Sequence, residues 1–111
     1  MLARLQGRDV GCDGQVLGVA NDHKTETVVF EFEEDLTGAE VYLRINGATG
    51  NYKARLQLPM DGNRASWLVE DTHTTKGKLT CQLELVHTGF ADPHRWQSKQ
   101  FTLEVEVQLT V

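Results

Sequence analysis

The chain has 111 residues, of which 40% are hydrophobic and 24% are charged, as in an ordinary soluble globular protein. This length predicts one domain, residues 1–111, that buries roughly two-thirds of its unfolded surface and needs no disulfide or metal to fold. The net charge of −5 argues against a nucleic-acid partner, because phosphate contacts require clustered Lys and Arg, and no apolar run is long enough for a membrane span.

The first predicted elements lie in residues 1–21, where the pattern is weakest. Leu2 to Leu5 is consistent with the start of a strand, and the glycines of segment 11–14 predict a turn, since Gly tolerates backbone angles that other residues avoid. A short strand follows at Gln15 to Ala20. The pattern leaves open whether residues 1–21 pack on the domain as strands or form an arm.

From Thr27 onward, apolar and polar residues alternate, most clearly between Phe101 and Val111. Successive side chains of a strand point to opposite faces, so this alternation predicts strands with one buried and one solvated face. The predicted strands cover 27–33, 39–46, 52–58, 65–70, 79–86 and 95–111, the last with a bend near 97–99. Turn signals recur about every ten residues, as in a sandwich or barrel, and we predict an all-β, antiparallel β-sandwich of about seven or eight strands.

No pattern of residues indicates catalysis, a cofactor or a metal. The four histidines lack the short ligand spacing of metal sites: His23, His73, His87 and His94. Alternation places Cys81 inward as a small apolar residue, and Cys12 falls in a turn with no base nearby in sequence. We therefore expect no catalytic residues, no cofactor and no metal, and the protein is predicted not to be an enzyme.

We interpret two groups of carboxylates as lying on solvated strand faces, where they discourage the pairing of sheet edges. One group comprises Glu31, Glu33, Glu34 and Asp35, and the other comprises Glu104 and Glu106. A glycosidase-type pair across a cleft is the less favoured interpretation. Among the aromatic residues, Trp67 and Tyr52 fall on predicted core faces.

Outward-facing apolar or aromatic residues are the candidates for a protein interface. They are Val29, Tyr42, Leu68, Val86 and Trp96, all outside the predicted core registers. Charge substitution at Leu68 or Val86 is predicted to weaken self-association without unfolding the domain. The alternative is that both faces of the sheets are partly buried near their centres, which would make these residues core.

Several stretches follow one another in a characteristic order over residues 26–107. They are Val29–Phe32 leading into Asp35–Leu43, then Asp61–Gly62 and Trp67–Val69, then Lys76–Leu85, and finally Gln97–Val105. In order and spacing they resemble the N-terminal, immunoglobulin-like β-sandwich domain of phage baseplate upper proteins, found in tail and prophage structural proteins.

The resemblance implies a non-enzymatic structural protein of the virion that anchors or connects a fibre or receptor-binding component to the tail. The expected partners are other tail and baseplate proteins and further copies of the chain in a ring or trimer. Proteins of this family continue beyond this domain, so we expect this chain to be either an excised domain or a short relative without the distal module. Since the two cysteines suggest no disulfide framework and residues 1–8 do not resemble a signal peptide, we expect synthesis in the bacterial cytoplasm before incorporation into the tail.

The alternative function is a carbohydrate-binding β-sandwich module that binds host glycans through the exposed aromatic residues Tyr42 and Trp96. Exposed aromatic rings can stack on sugars, but they serve protein interfaces just as readily.

Overall fold

A computed structural model describes residues 1–48, 52–89 and 91–109 of the chain. The described residues form two β-sheets packed face to face, so the predicted all-β sandwich is confirmed. A short 3₁₀ helix, Asp71–His73, occupies the connector between the predicted strands 65–70 and 79–86. The strands are β1 (Leu2–Gln6), β2 (Asp9–Cys12), β3 (Val16–Val19), β4 (Thr27–Glu31), β5 (Ala39–Asn46), β6 (Lys53–Leu58), β7 (Met60–Asp61), β8 (Arg64–Leu68), β9 (Gly77–His87), β10 (His94–Gln97) and β11 (Phe101–Glu106).

The first sheet has the order β2-β1-β4-β8-β7, and the second has the order β3-β11-β9-β5-β6, with β10 also paired to β9. Eleven strands within the described ranges exceed the seven or eight expected, because β2 and β7 are short and the final strand is divided. Each sheet is mixed, since β1 is parallel to β4 and β3 is parallel to β11. A parallel pair requires a long connection, and here the chain between β1 and β4 crosses to the other sheet and forms β3.

Residues 1–21 pack on the sandwich, with β1 and β2 in the first sheet and β3 in the second. The turn predicted for segment 11–14 is only partly correct, because Gly11 and Cys12 belong to β2 and the bend begins at Asp13. A second turn lies earlier in the chain. The chain reverses there at Gly7, whose φ of +60° is in the left-handed region that favours glycine.

The long final strand predicted for residues 95–111 is interrupted at Ser98, near the expected bend. Ser98 is buried, and its Oγ accepts a hydrogen bond from the Leu83 amide at 3.0 Å, which keeps the backbone against β9 through the break. Strand β11 ends at Glu106, so residues 107–109 are not the strand that alternation predicted. The last two residues of the predicted strand lie outside the described ranges.

The core lies between the sheets and contains most of the residues that alternation assigned to the inner faces, whereas Val107 and Leu109, beyond the end of β11, are exposed. Phe30 from the first sheet meets Phe101 from the second edge to face, with ring centres 5.9 Å apart. Trp67 is 2% exposed, and Tyr52 packs against the core at its margin, as predicted for both. The inner faces are therefore occupied by core packing, and the outer faces, the edges and the loops remain available for binding.

Candidate functional site

The outer face of the second sheet carries a cluster of three arginines around one glutamate, here called the arginine cluster: Arg44, Arg55, Arg95 and Glu84. Strand β9 supplies Glu84, its neighbours β5 and β10 supply Arg44 and Arg95, and β6, which pairs with β5, supplies Arg55. The cross-strand register places Arg44 directly opposite Arg55. Two like charges in this position repel each other, so the pair requires a counter-charge.

Glu84 provides that counter-charge. Arg55 donates from Nε at 2.9 Å and from Nη2 at 2.8 Å to Glu84 Oε1. On the other carboxylate oxygen, Oε2, Arg44 Nη2 lies at 3.4 Å and Arg95 Nε at 3.2 Å. The Glu84 side chain is 0% exposed, whereas those of Arg44, Arg55 and Arg95 are 44%, 41% and 58% exposed. The carboxylate is thus covered by guanidinium groups whose remaining N–H donors are directed away from it.

The environment of Glu84 favours its charged form. Burial by itself would raise the pKa of this carboxyl, but the hydrogen bond from Arg55 and the charges of Arg44 and Arg55 together lower it. Glu84 therefore stays ionised at neutral pH and holds the three arginines in place.

Tyr42 extends the cluster with an aromatic ring. The guanidinium carbon of Arg55 lies 3.7 Å from the ring centre, which is a cation–π contact. The Tyr42 hydroxyl donates to Glu40 Oε2 at 2.5 Å, and this hydrogen bond raises the pKa of the phenol. One face of the ring is therefore occupied by Arg55.

A concavity of about 450 Å³ adjoins the cluster on this face. Its polar lining consists of groups able to donate hydrogen bonds, from Arg44, Asn46, Lys53, Arg55, Thr80, Gln82 and Gln100. Around this concavity and cluster, four cationic side chains, those of Lys53 and the three arginines, outnumber the carboxylates of Glu40 and Glu84. Further along the same face, Lys78 is accompanied by Glu104 and Glu106, so the positive charge is confined to one patch. This basic patch is suited to bind anionic groups, although the chain has a net charge of −5.

The five predicted interface residues do not form one surface. Leu68, 46% exposed, and Val29, half-buried, are on the outer face of the first sheet, where Val29 pairs with Ser66. Tyr42 is on the outer face of the second sheet, opposite Glu84. The sandwich core therefore separates Tyr42 from Val29 and Leu68.

Two of the five residues differ from the outward, exposed positions that were predicted. Val86 does point to the outer face of the second sheet, but it is only 9% exposed, because its cross-strand neighbours Glu40 and Arg95 flank it on both sides. Trp96 pairs with Leu85 and packs against the core margin, so it lies on the opposite face of the sheet from Tyr42. Tyr42 and Trp96 consequently do not build a single aromatic platform.

Sequence reasoning missed the arginine cluster, although one signal was present. The β5–β6 hairpin places Arg44 against Arg55, and two facing arginines indicate that a carboxylate is needed nearby. The pairing of β9 with both β5 and β10, which brings in Glu84 and Arg95, depends on segments far apart in the chain.

Three of the six carboxylates that were interpreted as lying on solvated faces have partners in the structure. Glu31 pairs with Arg64 at 2.9 Å, and Glu33 Oε1 accepts a hydrogen bond from the Gly7 amide at 2.6 Å. Asp35 accepts hydrogen bonds from the amide and hydroxyl of Thr37. The exposed segment Glu33–Asp35 is thus an acidic loop between β4 and β5 with a partly fixed shape.

The histidines and cysteines are dispersed over the domain. His73 Nδ1 accepts a hydrogen bond from Trp67 Nε1 at 3.0 Å, and His23 lies 2.9 Å from Asp71. Cys81 is buried and Cys12 half-buried, and both thiols are free. Within the described ranges, no three His, Cys, Asp or Glu side chains converge as a ligand set for a metal.

Comparison with protein-family models and with curated proteins finds no match to this chain. Within the described ranges, no helix has the length and apolar character needed to cross a membrane. The functional inference therefore depends on the residues of the chain and on their geometry.

Proposed function

We propose that this chain is a non-enzymatic assembly module of a phage or prophage tail baseplate, which connects a fibre or receptor-binding component to its neighbours. The observation that carries the proposal is the arginine cluster, an exposed group of three guanidiniums held by the fully buried Glu84. Arg and Tyr are enriched at protein interfaces and among the residues that dominate binding energy.

The cluster is suited to binding because its side chains are ordered before a partner arrives. A free arginine loses roughly 2 kcal/mol of rotamer entropy when it is fixed in an interface. In this domain Glu84 holds the guanidinium groups, and the ring of Tyr42 supports Arg55. Binding of a partner therefore costs less conformational entropy than it would on a surface of unconstrained arginines.

The assignment to a tail rests on the sequence resemblance, and the β-sandwich architecture is compatible with it. The test is peptide mass spectrometry of tail particles purified from the source organism after prophage induction. We expect peptides of this chain in stoichiometric amounts beside the other tail proteins. Particles that contain those proteins but lack this chain would contradict the proposal.

The alternative, a carbohydrate-binding module using Tyr42 and Trp96, has less support. The two rings lie on opposite faces of the sheet, and Arg55 covers one face of Tyr42. A glycan that stacked on Trp96 should change the tryptophan emission of the folded protein. A saturable change on titration with host-type glycans would favour this alternative over assembly.

A further inference from the structure

We propose that copies of this chain associate head to tail, with the basic concavity beside the arginine cluster of one copy receiving the acidic loop Glu33–Asp35 of the next. This inference deepens the proposed function by naming a second copy as the partner of the cluster. Three features of the molecule support it: the charge on each surface, the distance between the loop and the concavity within one copy, and the contacts that order each surface.

The basic surface has positive charge that its own carboxylates do not balance. Three arginines share the single carboxylate of Glu84, and Lys53 adds a fourth cation at the concavity. Among the described residues Lys53 makes no ion pair. Because guanidinium N–H groups bind carboxylates in bidentate geometry, this surface is suited to acidic side chains.

The acidic surface is the exposed loop of three consecutive carboxylates, Glu33, Glu34 and Asp35. Glu34 makes no ion pair within the part of the chain that the structure describes. This loop therefore supplies the negative charge that the basic concavity lacks.

The loop is fixed to the turns of the first sheet. The Phe32 amide donates to the Asn63 carbonyl at 2.8 Å, and the Leu36 amide donates to the Gly62 carbonyl at 3.0 Å. The Gly7 amide holds Glu33, as described above. The loop is thus anchored on both sides and presents its carboxylates without a large loss of backbone entropy on binding.

Within one copy, the two surfaces are too far apart to neutralise each other. The loop joins β5 at Ala39, whereas Arg44 is five residues further along that strand, about 17 Å away at the usual rise per residue. The loop is attached to the first sheet, and the cluster lies on the outer face of the second. Arg95, which pairs with Val86 beside Glu40, is the cluster residue nearest to the loop. The concavity itself, lined by Arg44, Arg55 and Lys53, lies towards the other end of these strands and can therefore receive the loop only from a different molecule.

A contact between two different surfaces of the same chain is heterologous. Such a contact closes into a ring when its rotation permits and otherwise propagates as a filament. Either arrangement uses every copy equivalently, as the symmetric tail of the proposed function requires. Because the contact is between charged, solvent-accessible groups, it should weaken as salt shortens the Debye length.

The experiment measures the mass of the purified chain by light scattering behind a sizing column. Two single charge reversals, Lys53→Glu and Glu34→Lys, are compared with the double variant that carries both. Both side chains are exposed and lack ion pairs within the described residues, so the variants should fold, and circular dichroism checks this. Lys76→Glu is the matched control, because Lys76 is exposed and does not line the basic concavity.

We expect an oligomer of the unmodified chain at low ionic strength that dissociates at about 1 M salt, where the Debye length is about 3 Å. Each single reversal should weaken association at least about tenfold, since it opposes like charges across the contact. The double variant should recover association, because its contact again joins opposite charges, and Lys76→Glu should associate as the unmodified chain does.

A monomer at low ionic strength, unchanged association in both single variants, or a double variant that fails to recover would overturn the head-to-tail contact. These outcomes are separate from a failure of the tail assignment, which depends on the composition of purified particles. Charge-swap recovery without the chain in tail particles would retain the contact and reject the assignment.

Discussion

Arg55 binds Glu84 through two N–H groups, with Nε at 2.9 Å and Nη2 at 2.8 Å from the same carboxylate oxygen. Glu84 occupies a position of β9 that faces away from the sandwich core, yet its side chain is fully buried. Arg55, with Arg44 and Arg95, covers this carboxylate and replaces the water that would otherwise hydrate it. The relationship makes the outer face of the second sheet a structured surface.

Replacing Arg55 by Met should lower the free energy of unfolding by about 1–3 kcal/mol, because it removes both hydrogen bonds of the best-placed partner of a buried carboxylate. This decrease in unfolding free energy should be smaller than for a fully buried ion pair, since Arg44 and Arg95 remain beside the carboxylate. Arg95→Met is the control, because Arg95 offers one contact at 3.2 Å and is 58% exposed, and it should cost less than about 1 kcal/mol. Urea unfolding measures both, and equal losses would contradict this ranking.

The stability of the domain should depend on the ionisation of Glu84 in acid. Its pKa is lower in the folded chain than the ordinary value of 4.5, so the folded state binds this proton less readily than the unfolded state does. The stabilising contribution of Glu84 is therefore complete above pH 4.5 and is lost as the pH falls through its lowered pKa. Unfolding free energies of the unmodified chain and of Glu84→Gln should differ by a constant amount above this range and converge below it. A difference that grows in acid would contradict the assignment.

The hydrogen bond between Trp67 and His73 should contribute measurably to stability. His73→Phe leaves the Trp67 indole N–H without its acceptor in a site where the Trp67 side chain is 2% exposed, at an expected cost of about 1–3 kcal/mol. His73→Gln retains an acceptor and should cost less. Thermal unfolding monitored by tryptophan emission measures both variants, and indistinguishable midpoints would show that the bond contributes little.

Cys81 should be inert to thiol reagents in the folded protein at neutral pH. Burial among apolar side chains raises its pKa to about 12, so almost no reactive thiolate is present. Burial also raises the pKa of Cys12, but this residue is only half-buried and should react first, although slowly. A disulfide reagent with a chromogenic leaving group should count at most one thiol before denaturation and two afterwards. Rapid reaction of two thiols in the native state would argue against the burial of Cys81.

Charge substitutions at Leu68 and Val86 should have different effects on folding. Leu68 is 46% exposed, so Leu68→Lys should change the unfolding free energy by no more than about 0.5 kcal/mol. Val86 is 9% exposed between Glu40 and Arg95, so Val86→Lys should destabilise the domain by about 1–3 kcal/mol. Urea unfolding separates the two cases, and equal stability of both variants would mean that Val86 is not confined by its neighbours.

Alternation along the chain was sufficient to predict the sandwich because the side-chain period of a strand is a local property. Their neighbours in sequence place Trp67 and Cys81 on the inner faces, and both are buried. The sequence also predicts the bend in the last strand, since Gln97 to Lys99 break the alternation there.

Only the tertiary structure decided which strands are neighbours, and with them the candidate site. The parallel pairing of β1 with β4 and the burial of Val86 and Glu84 depend on segments that are distant in sequence. The charge of Glu84 is visible in the sequence, but its burial follows from the register of β9 against β5 and β10. Periodicity specifies the face on which a side chain lies, whereas its cross-strand neighbours are set by the packing of the whole sandwich.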